Sequence, residues 1–264
     1  MSIENFLDEN TRNNEPSWLK EFRSNSFKAY ENLKSESTQL FKHQTLFSDF
    51  NLEDFQPDGN ISSLNFNLPE NLKEKGIIAS QLDGAIKNEP QFKQILISDS
   101  KIDDKFLHMN SALFNSGLYI YVPKGLRIEA PLRLMSIVNS HTINKIIFVL
   151  DQDSMLRVIK EDYSTDSGEQ ILFSDSIEIL LKDGAEMHLS NVQNLSQNVV
   201  HLSNKISTCH KNSRIHWNIG YFGGKKVRSR VYNVLLGEGS EAEDMEVLFG
   251  NKEQQFDVFS NLLH

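Results

Sequence analysis

A four-residue turn recurs down the second half of the chain: Pro123-Lys124-Gly125-Leu126, Asp151-Gln152-Asp153-Ser154, Lys182-Asp183-Gly184-Ala185, His210-Lys211-Asn212-Ser213 and Gly237-Glu238-Gly239-Ser240, about 28 residues apart. A near-constant interval of that size marks a solenoid, because each unit buries its inward face only against the next. The segments between the turns read as strands. In one of them Val227, Ser229, Val231, Asn233 and Leu235 alternate with Arg228, Arg230, Tyr232, Val234 and Leu236, the second face being charged near its start. The expected fold is mainly β, a β-solenoid. An antiparallel sandwich also has short, regularly spaced strands but gives no reason for a fixed interval.

The chain ahead of the repeat has a different character. Residues 1 to about 75 are rich in Asn, Ser, Glu and Lys, and Trp18, Leu19, Phe22, Ser26, Tyr30 and Leu33 fall at helical spacing behind Glu15-Pro16. They predict one amphipathic helix, with proline where a missing amide costs nothing. From Ser35 to Asn67 single aromatics (Phe41, Phe47, Phe50, Phe55, Phe66) recur without a period, which predicts an irregular stretch. Between Gly76 and Gly117 the pattern is helical in short pieces, most clearly where Phe106, Asn110, Leu113 and Phe114 follow Asp103 or Asp104 as N-cap. Strand character begins at Leu118-Tyr119-Ile120-Tyr121-Val122. The sequence therefore divides into a helical and irregular domain, 1–117, and a β-helix domain, 118–264.

Charge and cysteine content narrow the function. The net charge of −9 is spread along the chain, and the one compact basic stretch is Lys225, Lys226, Arg228 and Arg230, so nucleic acid is not an expected partner. No stretch reaches the roughly 20 apolar residues needed to cross a bilayer, and Met1 to Asn5 open no leader-like segment. No membrane association is expected, and the cytoplasm is the expected location. A single cysteine, Cys209, agrees with a reducing compartment.

Four groups of residues carry candidate chemistry. Cys209-His210 with His188, His201 and His216 offers thiolate and imidazole, but one sulfur is too few for an ordinary cluster site and the spacing fits no ligand signature. The favoured reading is a turn cysteine beside solvated strand histidines, and no metal ligand is assigned. Gly223-Gly224-Lys225-Lys226 lacks the spacing of a phosphate loop and lies between strands, so it reads as a turn. Glu238, Glu241, Glu243, Asp244 and Glu246 are hard oxygen donors of a kind iron(II) accepts, although an acidic run on a solenoid's outer face is ordinarily solvated. Glu161-Asp162 is the carboxylate pair that a β-helical, carbohydrate-active enzyme would need, and it keeps that class as an alternative. No catalytic residue is assigned and none is expected.

Three ordered blocks resemble the SufB/SufD family of iron-sulfur cluster assembly proteins: Ser111 to Pro131, with Tyr121-Val122-Pro123-Lys124-Gly125 at its centre; Asn212-Ser213-Arg214-Ile215-His216-Trp217 with Gly220, Gly223-Gly224-Lys225 and Arg228-Ser229-Arg230; and Leu236 to Glu243. Glu15 to Leu19 and the region from Asp49 to Pro57 are similar to the family's entry domain. The segment after Lys124 lacks the cysteine usual in B-type members, and Leu52-Glu53-Asp54-Phe55 is D-like, so SufD is the favoured branch and SufB the alternative. The resemblance implies a right-handed parallel β-helix preceded by an α-helical domain. It implies a non-catalytic scaffold subunit of a SufBCD-type complex, partnered by SufB-like and SufC-like (ATPase) proteins. The complex as a whole handles an iron-sulfur cluster; this segment is expected to bind no cofactor of its own. It also implies a chain truncated at its C-terminal end, whose last strand would leave an unprotected rung and promote self-association. An interaction solenoid unconnected with clusters would share the fold.

Overall fold

The corners explain the architecture. In the computed structural model, which describes residues 15–34, 47, 50–55, 63–88, 92–93, 95–96, 102–165 and 168–264, every recurring turn closes with a backbone hydrogen bond from its fourth residue to its first: Leu126 to Pro123 (3.2 Å), Ser154 to Asp151 (3.1 Å), Ala185 to Lys182 (3.0 Å), Ser213 to His210 (3.1 Å) and Ser240 to Gly237 (3.1 Å). The third residue is left-handed each time: Gly125, Asp153, Gly184, Asn212 and Gly239 have φ of 71°, 59°, 68°, 54° and 71°. A turn of this kind demands positive φ there, which glycine adopts freely and Asn or Asp tolerates. Corners also stack, as the amides of Gly125, Asp153, Gly184 and Asn212 donate to carbonyls of the following corner at 2.8–3.0 Å. Stacking explains why the left-handed position is not Asx throughout. A Cβ on Gly184 would meet Asp153 Oδ1 at 2.3 Å, and one on Gly239 would meet Asn212 Oδ1 at 2.4 Å.

Between corners the chain alternates between two sheets. Sheet A contains β4 (Arg127–Ile137), β6 (Met155–Tyr163), β8 (Glu186–Asn194), β10 (Arg214–Tyr221) and β12 (Glu241–Leu248). Sheet B contains β3 (Ser116–Val122), β5 (Thr142–Leu150), β7 (Ile171–Leu181), β9 (Val199–Cys209), β11 (Lys226–Leu235) and β13 (Gln255–Leu263). These strands pair in parallel within each sheet. Arg127 lies beside Met155, Met155 beside Glu186, Glu186 beside Arg214 and Arg214 beside Glu241, one turn of the solenoid at each step. The result is a β-solenoid of about five turns, with half of the described residues in strands. Its main core lies between the sheets, where Ile146, Phe148 and Ile177 of sheet B meet Leu156, Val158, Leu189 and Trp217 of sheet A.

Two strands precede the solenoid where none was expected. β1 (Ser63–Phe66) pairs antiparallel with β4, and β2 (Ile78–Gln81) pairs antiparallel with β3, so each adds a strand to the first-rung edge of a sheet. The first falls in the stretch read as irregular and the second in the region read as helical. Four residues are too few to display a period, and their conformation is set by the edge they meet. Phe41, Asp49 and Pro57 of that reading, and Met1 to Asn5, lie outside the described residues.

The helical part covers the outer face of sheet B. α1 (Ser17–Asn32) buries Leu19, Arg23, Ser26 and Tyr30, with Pro16 at its N-cap rather than inside the first turn. α2 (Glu70–Lys73) and α3 (Leu82–Asn88) are short. α4 (Lys105–Leu113) is capped by Asp104, whose carboxylate accepts from the amides of Phe106 and Leu107 at 3.0 Å. A second core joins Leu19, Phe92, Phe106, Met109 and Leu113 to Tyr119, Ile147, Leu172 and Leu202 on that face. Polar contacts reinforce it: Arg23 Nη1 donates to the Ala112 carbonyl at 2.9 Å, and Asn110 Nδ2 donates to Asn144 O and Ser174 Oγ at 3.0 Å. The basic residues expected to make one face of β11 charged are therefore not solvated. Arg228 and Arg230 are each 1% exposed. Among the described residues no helix is long and apolar enough to cross a membrane.

Candidate functional site

Inside the solenoid a polar layer interrupts the apolar filling. Along β7 the inward residues run Phe173, Asp175, Ile177, Ile179; along β9 they run Val199, His201, Ser203, Lys205, Ser207, Cys209. From the opposite sheet come Lys160 and Asp162 of β6, with Asn191 and Gln193 of β8 beside them. All are buried. Lys160 Nζ bridges Asp162, by a very short contact, and Asp175 Oδ2 at 3.1 Å. His201 Nε2 lies 3.0 Å from Asp175 Oδ1, its ring stacked on Phe173. Asn191 Nδ2 donates to Asp162 Oδ2 at 2.8 Å, and Lys205 Nζ donates to Ser203 Oγ at 2.6 Å.

The charges are stabilised by one another. Burial opposes ionisation of Asp175, but the Lys160 ammonium and the His201 hydrogen bond outweigh it and hold the carboxyl well below its usual range. Burial likewise opposes the charged form of Lys160, yet Asp162 and Asp175 raise its pKa. At Lys205 burial wins and the pKa falls. Glu246, inward on β12, is raised by burial despite Lys205 and Tyr221. Such a layer fixes which residue faces which across the lumen, since a slipped strand would leave a charge buried without a partner.

The candidates from sequence are dispersed by this geometry. Cys209 is the fully buried last residue of β9 rather than a turn residue, and burial pushes its thiol up to about 11. His201 belongs to the inner layer. Gly223-Gly224 is a corner packed against the preceding one: Gly224 N donates to Leu195 O at 2.8 Å, and a Cβ on Gly223 would lie 1.9 Å from that oxygen. Its amides are engaged, so it offers no phosphate cradle. Period two splits the acidic run, with Glu241 and Glu243 outward and Asp244 and Glu246 partly buried and inward; Asp244 accepts from Asn233 Nδ2 at 2.9 and 3.1 Å. It also splits Glu161-Asp162. Asp162 joins the inner layer while Glu161 lies outside, near Arg133 and Tyr163, so the two never flank one substrate bond.

Only His188 and His216 of the proposed group come together. They are register partners on β8 and β10, on the outer face of sheet A, with ring centroids 4.3 Å apart and planes 8° from parallel. His188 Nε2 is 2.8 Å from Glu186 Oε1, and His216 Nδ1 is 2.9 Å from Glu243 Oε2. Arg127 Nη2 holds the other Glu186 oxygen at 2.9 Å. Glu186 was not singled out from the sequence. The signal was available, because 188 and 216 are 28 apart, one turn of the repeat, and Glu186 shares the outward phase of His188.

A parallel two-sheet solenoid with a bonded corner stack and a charged inner layer belongs to the class of β-helical repeat proteins. Residues 134–264 match the SufBD core domain of SUF system FeS cluster assembly. The chain is 30% identical over 207 residues to an iron-sulfur cluster assembly SufBD family protein of Staphylococcus epidermidis, and 28% identical over 207 residues to the iron-sulfur cluster assembly protein SufB of Bacillus subtilis. A SufBD family protein of Staphylococcus aureus is 30% identical over the same length. In each case 75% of this chain and 44% of the relative are covered, so the chain spans less than half the length of the relatives it matches. The chain belongs to the SufB/SufD family of iron-sulfur cluster assembly proteins.

Proposed function

We propose that this chain serves as a scaffold subunit in iron-sulfur cluster assembly, of the SufD-like type, working in the cytoplasm with SufB-like and SufC-like partners and performing no catalysis itself. The observation that carries this reading is the SufBD core match over residues 134–264, most of the solenoid. Two features of the site support it. Lys160, Asp162, Asp175 and His201 inside the solenoid are paired with one another, as expected of a structural layer. The single thiol is buried and held protonated, which suits a subunit that positions partners better than one that accepts sulfur as a thiolate. The carbohydrate-enzyme alternative finds no support, since its carboxylates point to opposite sides of a strand.

The test is co-purification of the chain with a SufB-like and a SufC-like protein expressed together. Recovery of a stoichiometric complex supports the scaffold role. Reproducible failure to recover either partner, with the chain folded by circular dichroism, would favour a free-standing interaction solenoid.

A further inference from the structure

We propose that Glu186, His188 and His216 form a binding site for a divalent first-row transition cation, zinc or iron(II), on the outer face of sheet A, with Glu243 as the residue that orients His216. The inference rests on these side chains and stands whether or not the scaffold reading holds. One ligand atom from each of the three lies within 4.8 Å of the other two, and among the described residues no other group of His, Cys, Asp or Glu comes together in this way.

The donor set decides the class of ion. Two imidazole nitrogens and one carboxylate oxygen suit zinc or iron(II); they are too nitrogen-rich for magnesium or calcium and lack the sulfur that copper(I) prefers. Position favours a labile site with open coordination places. The three side chains are 25–29% exposed, so water or a further ligand can complete the shell.

The surrounding contacts resemble those of a prepared site. Glu243 takes the His216 Nδ1 hydrogen and so leaves Nε2 with its lone pair, the arrangement in which a carboxylate orients a ligating imidazole. Arg127 fixes the second oxygen of Glu186. The hydrogen that His188 Nε2 shares with Glu186 Oε1 sits between two donors 2.8 Å apart. A cation taking its place needs about 2.0–2.2 Å to each donor, so the gap opens by only a few tenths of an ångström, and the displaced proton moves to His188 Nδ1. The stacked rings must tilt apart for both nitrogens to face one ion. Their side chains stand on the sheet surface, where, among the described residues, nothing from the helical part packs.

Cobalt(II), which reports nitrogen and oxygen coordination by its visible absorption, and zinc by calorimetry, are the probes for the full chain. One cation per chain is expected, with His188→Ala and His216→Ala each weakening binding at least tenfold and Glu243→Gln weakening it less while keeping the stoichiometry. His210→Ala should bind as the wild type does. A read-out without substitution comes from NMR: zinc should shift the imidazole resonances of two histidines and leave that of buried His201 in place. Absence of binding at millimolar cation, undiminished binding in the folded His188→Ala/His216→Ala variant, or zinc shifts on other histidines would overturn the assignment.

Discussion

At Asp104 a single carboxylate closes the cap of α4 and holds that helix to sheet B. Its Oδ2 accepts from Arg228 Nη2 at 2.7 Å and Tyr232 OH at 2.8 Å, while Oδ1 accepts from two backbone amides of α4. Removing one partner of a buried ion pair strands the other, so Arg228→Met should cost about 3–5 kcal/mol in urea unfolding. The Asp104→Asn/Arg228→Met double variant should lose less than the sum of the singles. Burial alone would raise this carboxyl, but Arg228 and the hydrogen bonds bring it below 3.8. A carboxyl lowered on folding contributes stability that is complete above its unfolded pKa and is lost as pH falls through the folded value. Asp104→Asn should therefore flatten the acid limb of the stability curve below about pH 4 and leave its slope near neutrality unchanged. Cys209 permits a complementary test. At about pH 8 it should resist thiol reagents in the native protein and react as one equivalent after denaturation. These assignments were partly legible. Asp104 as a cap follows from helix signals, but nothing in the sequence pairs it with a residue 124 positions away. Cys209 and His210 adjoin in the chain, yet β9 ends at Cys209, buried and inward, while His210 opens the corner that follows.

At the level of the strand and corner, glycine and Asx take turns at the left-handed position because each Asx side chain lies over the next rung's glycine. Gly125→Ala, with nothing within 4 Å of the added Cβ, should cost only the conformational penalty of about 1–2 kcal/mol. Gly239→Ala carries the same penalty and adds a 2.4 Å approach to Asn212 Oδ1, so it should cost more. Asn212→Gly in the Gly239→Ala background should recover the difference, as read from thermal midpoints. The corners were the most legible part of the sequence because their chemistry is local. β1 and β2 were not, because an edge strand of four residues takes its conformation from its neighbour. The inner charged layer escaped notice for a related reason. Lys160, Asp175 and His201 sit on three strands, and only the register of the rungs brings them within bonding distance. His188 and His216 could have been paired by applying the 28-residue period to the histidines already singled out.

For the whole molecule, the two sheets differ in cover. Among the described residues, sheet B is packed on both faces and sheet A has one face open. Among the described residues, β12 and β13 each have a strand neighbour on one side only, and Met245, Val247, Phe249 and Leu262 are more than half exposed there. Unpaired edges beside apolar side chains are templates for further strands. The chain should associate with increasing concentration in light scattering, and Val247→Lys should suppress that without lowering the thermal midpoint. A monodisperse monomer at high concentration would contradict it. The two long borders of the solenoid also differ. Along the border of the recurring turns, four of the five corners contain four residues, each bonded to the next; along the other, the connections between β6 and β7 and between β12 and β13 contain seven and six. Backbone bonds from rung to rung run along both borders, Gly224 to Leu195 among them on the second, so loops grafted onto this protein belong in those two long connections, where added length leaves the stitching of the short ones intact.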